Sequence, residues 1–356
     1  MPIEELYLQS VDLLKRLVQT PSLSYHEAEA ADVIREFLNK KGVSYEWKMN
    51  NTWCYNRYWD ESKPVILLNS HIDTVKPVDG WTVNPYSATF NDGKLIGLGS
   101  NDAGAPLVSL LAVFLHYYSS ENLPFNLIFA ATAEEESSGP NGMALLVQQL
   151  KRVDFAIIGE PTLMKLAVAE KGLLVIDCLV KGKAGHAARN EGVNSIYLAI
   201  NEIDKIQQYK FDRISPKLGE VKMTVTQIEA GFQHNVIPDT CKFVMDVRTN
   251  ECYTNTEIIE IVTNLLNCEI KPRSVLLNSS GINMDHPFVL KAQKLCIECY
   301  GSPTLSDQSL MSYPSVKIGP GDSARSHTAN EYIYPEEIKE GIKIYIQLLD
   351  GLILKH

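Results

Sequence analysis

The chain has 356 residues, 43 acidic and 33 basic, with a formal net charge of -10. That balance excludes a non-specific binder of nucleic acid or anionic membrane, because phosphate surfaces call for an excess of Lys and Arg. With 45% hydrophobic and 21% charged residues it can bury a core, and at roughly 150 residues per domain it suggests about two domains.

In chain order, residues 1–19 lack the basic start and continuous apolar core of a signal peptide. Leu6, Val11, Leu14 and Val18 have helical spacing instead, Thr20-Pro21-Ser22 breaks that helix, and a second is expected over about 26–41. Short apolar runs at 65–68, 127–131 and 156–158 read as buried, parallel strands. Helices are expected between them at about 105–118 and 142–150. The longest apolar stretch, near 105–115, is too short to span a membrane. This βαβ rhythm predicts a three-layer α/β/α domain with a mostly parallel sheet.

The style then changes. Strands are expected at 172–180, 222–229 and 240–248, with helices at about 194–210 and 255–266 and a further strand near 274–277. That order fits a small, ferredoxin-like α+β domain. After Asp285-His286-Pro287 the α/β style returns and ends in a helix over about 335–355. The division expected is 1–166 and 277–356 for a discontinuous main domain, with 167–276 inserted. Seven scattered cysteines argue against a disulfide framework, and Cys296-x-x-Cys299 reads as packing inside a helix, so a cytoplasmic location is expected.

Five polar segments interrupt this apolar frame. Ser70-His71-Ile72-Asp73-Thr74 follows the first strand, and a carboxylate two residues from an imidazole can orient it towards a metal. A strand-end His capped by Asp is the plainer account. Gly97-Leu98-Gly99-Ser100-Asn101-Asp102-Ala103-Gly104 leads into a helix, where Asp102 could favour the helix start or face two cations. The segment lacks the Lys-Ser/Thr and the GxGxxG of nucleotide loops, which also disfavours a Rossmann oxidoreductase. Thr132-Ala133-Glu134-Glu135-Glu136 places three adjacent carboxylates after a buried strand, costly unless solvated, protonated or paired with cations. Gly159-Glu160-Pro161-Thr162 follows another strand, and Gly319-Pro320-Gly321-Asp322-Ser323, Ser326-His327 and Asn330-Glu331 form the last segment. Sites in open α/β sheets assemble at the carboxyl ends of strands. Two His and several carboxylates converging there would make a mixed N/O site suited to zinc.

This order of motifs resembles the two-zinc exopeptidase and deacylase family, which includes acetylornithine deacetylase, succinyl-diaminopimelate desuccinylase, aminoacylase and several peptidases. The likeness covers essentially the whole chain. The runs 159–162 and 319–327 look most like the acetylornithine deacetylase branch, whereas Ala103-Gly104-Ala105 stands where many members carry Met-Lys-Gly. The resemblance implies two zinc ions, with cobalt or manganese as substitutes. It implies that Asp102 bridges them, that His71 and Glu160 complete one position, and that Glu136 and His327 complete the other. Glu135 would be the general base and Asp73 would orient His71, which leaves Glu134 without a catalytic role. The inserted domain would be a lid that dimerises. In it His186 would stabilise the oxyanion and Asn235 would touch substrate. Arg248 is the expected cation for a substrate carboxylate, with a surface pair to Glu251 as the plain alternative. Gly319 and Gly321 could offer backbone N–H groups to the substrate. His26, His116, His286 and His356 match no motif.

The expected substrate is a small N-acyl amino acid, N-acetylornithine first, with no nucleic-acid or membrane partner. Same-family alternatives are N-succinylornithine, N-acetylcitrulline, succinyl-diaminopimelate or a dipeptide. A non-catalytic protein with a remnant metal site would lack a ligand or the base, and here every type of group is present.

Overall fold

The computed structural model describes residues 2–354. The chain divides into two compact units, Met1–Val168 with Gly281–Tyr300 and Ser306–His356, and Ala169–Ser280 with Gly301–Leu305.

The first unit is built on a sheet whose strands run in the order Glu46–Lys48, Asn51–Tyr55, Asn126–Thr132, Val65–His71, Phe155–Ile158, Ser315–Lys317 and Leu166–Glu170. The four from Asn126–Thr132 to Ser315–Lys317 are mutually parallel, and antiparallel strands flank them. The apolar runs are continuous because both faces are covered. Ile66, Leu68, Leu127, Phe129, Phe155 and Ile157 pack into one core. Their alternates Val65, Leu67, Ile128, Ala130, Ala156 and Ile158 pack into another on the opposite face. Helices Ile3–Val18, Ala105–Tyr117 and Pro335–Leu349 supply Leu13, Leu14, Leu110, Phe114, Ile342 and Tyr345 to the first core. Each such side chain, fully buried, contributes about 1.5–3 kcal/mol. The layout is the three-layer α/β/α expected.

The second unit has an antiparallel sheet in the order Lys222–Ala230, Thr240–Thr249, Gly172–Lys181, Glu269–Pro272. Helices Ser195–Gln208 and Asn255–Leu265 lie between strands in sequence, giving βαββαβ and the ferredoxin-like strand order. Here burial alternates: Leu174, Ile176, Cys178 and Val180 are buried, while Leu173, Val175, Asp177 and Leu179 are half-exposed. That is the mark of a sheet covered on one face. Asn255–Leu265 starts at a reciprocal cap between Thr254 and Glu257.

Several boundaries differ from expectation. The fourth strand of the second unit is Glu269–Pro272 rather than 274–277. The helix expected over 142–150 shrinks to Met143–Leu146. The last helix stops at Leu349, followed by Gly351 at φ +63, and Lys355 and His356 lie outside the described residues. Cys296 and Cys299 are not in a helix. Pro287–Lys294 closes when the N–H groups of Ile297 and Cys296 fold back onto the carbonyls of Ala292 and Gln293, with Cys296 at φ +59. This is a Schellman closure with cysteine in the usual glycine position. Cys299 then opens the strand Cys299–Ser302. All seven cysteines are unbridged.

Candidate metal centre

Strand ends carry the site in the first unit. His71 is the last residue of Val65–His71 and is buried. Its Nδ1 lies 2.9 Å from the backbone carbonyl of Asp73, an oxygen that can only accept. Nδ1–H therefore donates to it, which leaves Nε2 facing outward. The Asp73 carboxylate stands further off, 3.5 Å from Nδ1. It accepts instead from Ser24 Oγ at 2.7 Å and from the backbone N–H groups of Glu135 and Glu136 at 3.0 and 3.1 Å. Asp73 thus meets His71 through its carbonyl and, at longer range, its carboxylate, which also fixes the turn carrying the two glutamates.

Asp102 sits in a tight turn, Ser100–Gly104, just before helix Ala105–Tyr117. Gly99 enters that turn at φ +74, where an added Cβ would fall 2.6 Å from Thr74 Cγ2. The two oxygens of Asp102 face different imidazoles. Oδ1 is 3.3 Å from His71 Nε2, and Oδ2 is 3.7 Å from His327 Nε2. Glu160 Oε1 lies 3.8 Å from His71 Nε2, and Glu136 Oε2 lies 3.0 Å from His327 Nε2. Glu135 Oε2 is 4.0 Å from His71 Nε2. His71 with Asp102 and Glu136, and His71 with Glu135 and Glu160, are each close enough to share one cation.

Glu134 is turned elsewhere. It is buried at φ +59, and its carboxylate accepts from the backbone and side-chain amides of Asn141, both at 2.9 Å. Gly139 is needed there, because a Cβ would lie 2.1 Å from Glu134 Oε2.

The electrostatics follow from crowding. Burial pushes Glu160 up to about 8, with His71 pulling down and Asp102 pushing further up. Burial likewise holds Glu135 well above the usual carboxylate range. The contact with Glu136 raises His327 to about 9. For His71 burial opposes charging, yet the Asp102 and Asp73 carboxylates outweigh it and lift the imidazole well above its ordinary value. Crowded carboxylates of this kind favour bound protons or cations. Two imidazole nitrogens and several carboxylates are the donor set of zinc, cobalt or manganese, so the residues present fit a dinuclear centre.

Gly319 and Gly321 serve packing. The Gly319 N–H donates to Thr162 Oγ1 at 3.0 Å and is not free for a substrate, which corrects that expectation. A Cβ at Gly319 would meet the Glu160 carbonyl at 2.5 Å, and one at Gly321, with φ +92, would meet Asn101 Oδ1 at 2.4 Å. Both glycines let the Gly319–Gly321 turn approach the segments that carry Glu160 and Asp102.

Asp307 belongs to none of the five polar segments. It is buried and accepts from Asn69 Nδ2 at 3.0 Å and Thr132 Oγ1 at 2.9 Å, joining the two strands that end at His71 and Thr132. Burial pushes it up to about 6. It follows no apolar strand, so the strand-end signal that found the other carboxylates does not apply.

The remaining candidates belong to the second unit. His186 and Asn235 sit on a two-stranded ribbon in which Gly185–His186 pairs with Val236–Ile237, and Ala187 N–H donates to the Asn235 carbonyl. His186 is exposed, and Asn235 Oδ1 is buried with no partner among the described residues. Arg248 makes a two-pronged contact with Asp246 at 2.9 and 3.1 Å. Glu251, its alternative partner by sequence, accepts from Ser215 instead.

Known proteins give the context. A succinyl-diaminopimelate desuccinylase of Orientia tsutsugamushi (strain Boryong) is 25% identical over 347 residues, 92% of this chain and 85% of that protein. The desuccinylase of Buchnera aphidicola subsp. Cinara cedri is 26% identical over 376 residues, 97% of this chain and 99% of its own. Aminopeptidase PepT of Bacillus cereus shares the fold with a TM-score of 0.77 at 20% identity, over 97% of this chain and 98% of its own. The YXEP protein of Bacillus subtilis, described as a dinuclear metal-binding peptidase, does so with a TM-score of 0.74 at 17% identity, over 99% and 100%. The sequence profile of peptidase family M20/M25/M40 matches residues 67–351, so the chain belongs to that family of hydrolases.

Proposed function

We propose that this hydrolase removes an acyl group from the amino nitrogen of an N-acylated diamino acid. The observation that carries the hydrolytic reading is the pair of imidazoles on opposite oxygens of Asp102, with Glu135, Glu136 and Glu160 around them. His71 and Glu160 would hold one divalent cation, Glu136 and His327 the other, and Asp102 both. Bound there, the pair supplies Lewis-acid polarisation of the scissile carbonyl and a lowered pKa for water.

The chain's own residues do the rest. Glu135 takes the proton from the attacking water and delivers it to the departing amine nitrogen. Burial and the neighbouring carboxylates hold it above the usual carboxylate range, which strengthens it as a base. Asp73 holds the Glu135 and Glu136 amides in place. His186 donates to the developing oxyanion, Arg248 binds the substrate carboxylate, and Asn235 offers its unpartnered oxygen to a substrate N–H.

For the acyl group, the names of the desuccinylase relatives favour succinyl over acetyl. The runs 159–162 and 319–327 favour the acetylornithine type as a second reading. Succinyl-diaminopimelate, N-succinylornithine, N-acetylornithine, N-acetylcitrulline and dipeptides, assayed side by side, decide between them. The highest kcat/KM is expected for a succinylated substrate, and a panel turned over only as dipeptides would overturn deacylation. Metal analysis is expected to give about two equivalents of zinc per chain. Full activity in exhaustively chelated protein would sink the metal mechanism.

The second unit is proposed to pair two copies. Its exposed apolar side chains, Tyr197, Ile200, Ile228 and Phe232, suit such a contact. Sedimentation is expected to give a dimer that Phe232→Asp weakens. Unbridged cysteines fit a cytoplasmic setting, and no described helix is long and apolar enough to cross a membrane.

A further inference from the structure

Two segments far apart in sequence each bring one group to the second metal position: the turn with Asp102 and the loop with His327. What holds them in register is a carboxylate assigned no chemistry so far. Glu331 is buried, and its Oε1 accepts from two successive backbone amides, Asn101 N–H and Asp102 N–H, each at 2.9 Å. Its own carbonyl accepts from Gly97 N–H at 2.9 Å. The Asn101 side chain closes the link from the other side. Its Nδ2 donates to the Asp322 carbonyl at 3.1 Å and to Ser326 Oγ at 3.2 Å, and its Oδ1 accepts from Asp322 N–H at 3.0 Å. Immediately after Glu331, Tyr332–Ile333 pairs with the strand Lys94–Ile96.

A buried carboxylate is costly unless its oxygens are hydrogen-bonded. Spending one on the amide of Asp102 itself, four residues past His327, makes sense if the spacing between those two side chains matters. The same loop also meets the Glu160 segment, where the Gly319 N–H donates to Thr162 Oγ1, but that bond lies further from His327 and engages no backbone amide of a proposed metal ligand. We propose that Glu331 is a positioning residue that fixes Asp102 against His327 and so sets the affinity of the second metal position, formed with Glu136, more than that of the first. This rests on the dinuclear reading above.

The test is a Co²⁺ titration of metal-stripped full-length protein, followed by calorimetry and by visible absorption of the bound ion. Wild type is expected to take two equivalents. Glu331→Ala is expected to keep the first equivalent and to weaken the second about 10–100-fold, as loss of a supporting partner does in other metal sites. Glu331→Asp keeps a carboxyl group but is too short to reach both amides, so it should weaken the second equivalent as well; it carries the test if the alanine variant fails to fold. Glu331→Gln retains an acceptor oxygen and should recover most of the second-site affinity and its spectrum. A general structural role would lower the melting temperature without separating the two equivalents. Two equivalents bound to folded Glu331→Ala and Glu331→Asp with wild-type affinity, or both weakened equally, overturns the inference. Fewer than two in wild type sinks the dinuclear reading, and the inference with it.

Discussion

The two units carry their candidate residues in opposite ways. In the first, His71 and Asp73 are buried and Asp102, Glu135, Glu136 and Glu160 half-buried at strand ends or on tight turns braced by backbone groups, and even the exposed His327 is held against Glu136. In the second, His186 is exposed on a short ribbon, and Arg248 already has a carboxylate partner. The contrast teaches a division of labour. A site that must hold several like charges within a few ångströms needs a rigid scaffold, because each group is costly to bury alone. The residues proposed to meet a substrate need no such support.

The most severe way to break the contrast is inside the first unit. Glu135→Gln is expected to lower kcat about 10²- to 10⁴-fold while retaining both metals. Glu136→Gln should instead lose metal, read by elemental analysis of the dialysed protein. Exchanged outcomes would make Glu135 the ligand, consistent with its 4.0 Å approach to His71. His186→Ala comes next. It should cost about 10²- to 10³-fold in kcat, the scale of a lost oxyanion donor, with metal content unchanged. Metal loss in that variant would mean that the second unit supports the centre, and the division of labour fails. Arg248→Ala is milder, raising KM about tenfold for a carboxylate-bearing substrate, at the low end for a charged hydrogen bond. An unchanged KM leaves Arg248 as the partner of Asp246 alone.

The same contrast explains what was legible in the sequence. His71 ends a run of seven buried strand residues, and Glu160 lies two residues beyond another buried strand, so apolar-then-polar punctuation located them. The second unit was legible as alternation, since a one-faced sheet writes period two into its strands. What failed depended on tertiary partners. Asp307 lies in a short turn with no apolar strand before it, and only the fold brings it to Asn69 and Thr132. Gly319 reads as a donor of its N–H until Thr162 is seen to take it. Asp73 meets the imidazole with its carbonyl as well as its carboxylate, a backbone contact that sequence does not reveal. Cys296 fell inside an apolar periodicity that ends in a helix closure, and backbone hydrogen bonds decide that closure.

The smallest effect concerns protons standing in for metal. In metal-free protein Glu160 titrates at about 8 when folded, against 4.5 when unfolded, and Glu135 is raised in the same direction. The folded state therefore holds protons that the unfolded state releases, and stability falls as pH rises from about 4.5 to about 8. His327 is raised from 6.5 to about 9 and His71 well above 6.5. The stability they contribute is complete below 6.5 and is lost as pH rises through their folded values. Both sets act in one direction. Asp73 and Asp102 are lowered from 3.8, so what they contribute is already complete above that and adds no slope here. The melting temperature of chelated protein should thus decline from pH 5.5 to pH 8.5, while bound zinc, replacing those protons, should flatten or reverse the decline. Differential scanning fluorimetry with chelator or zinc at both pH values measures it. A chelated protein that gains stability over this range would mean that the carboxylates at the strand ends are not held as close as the structure has them.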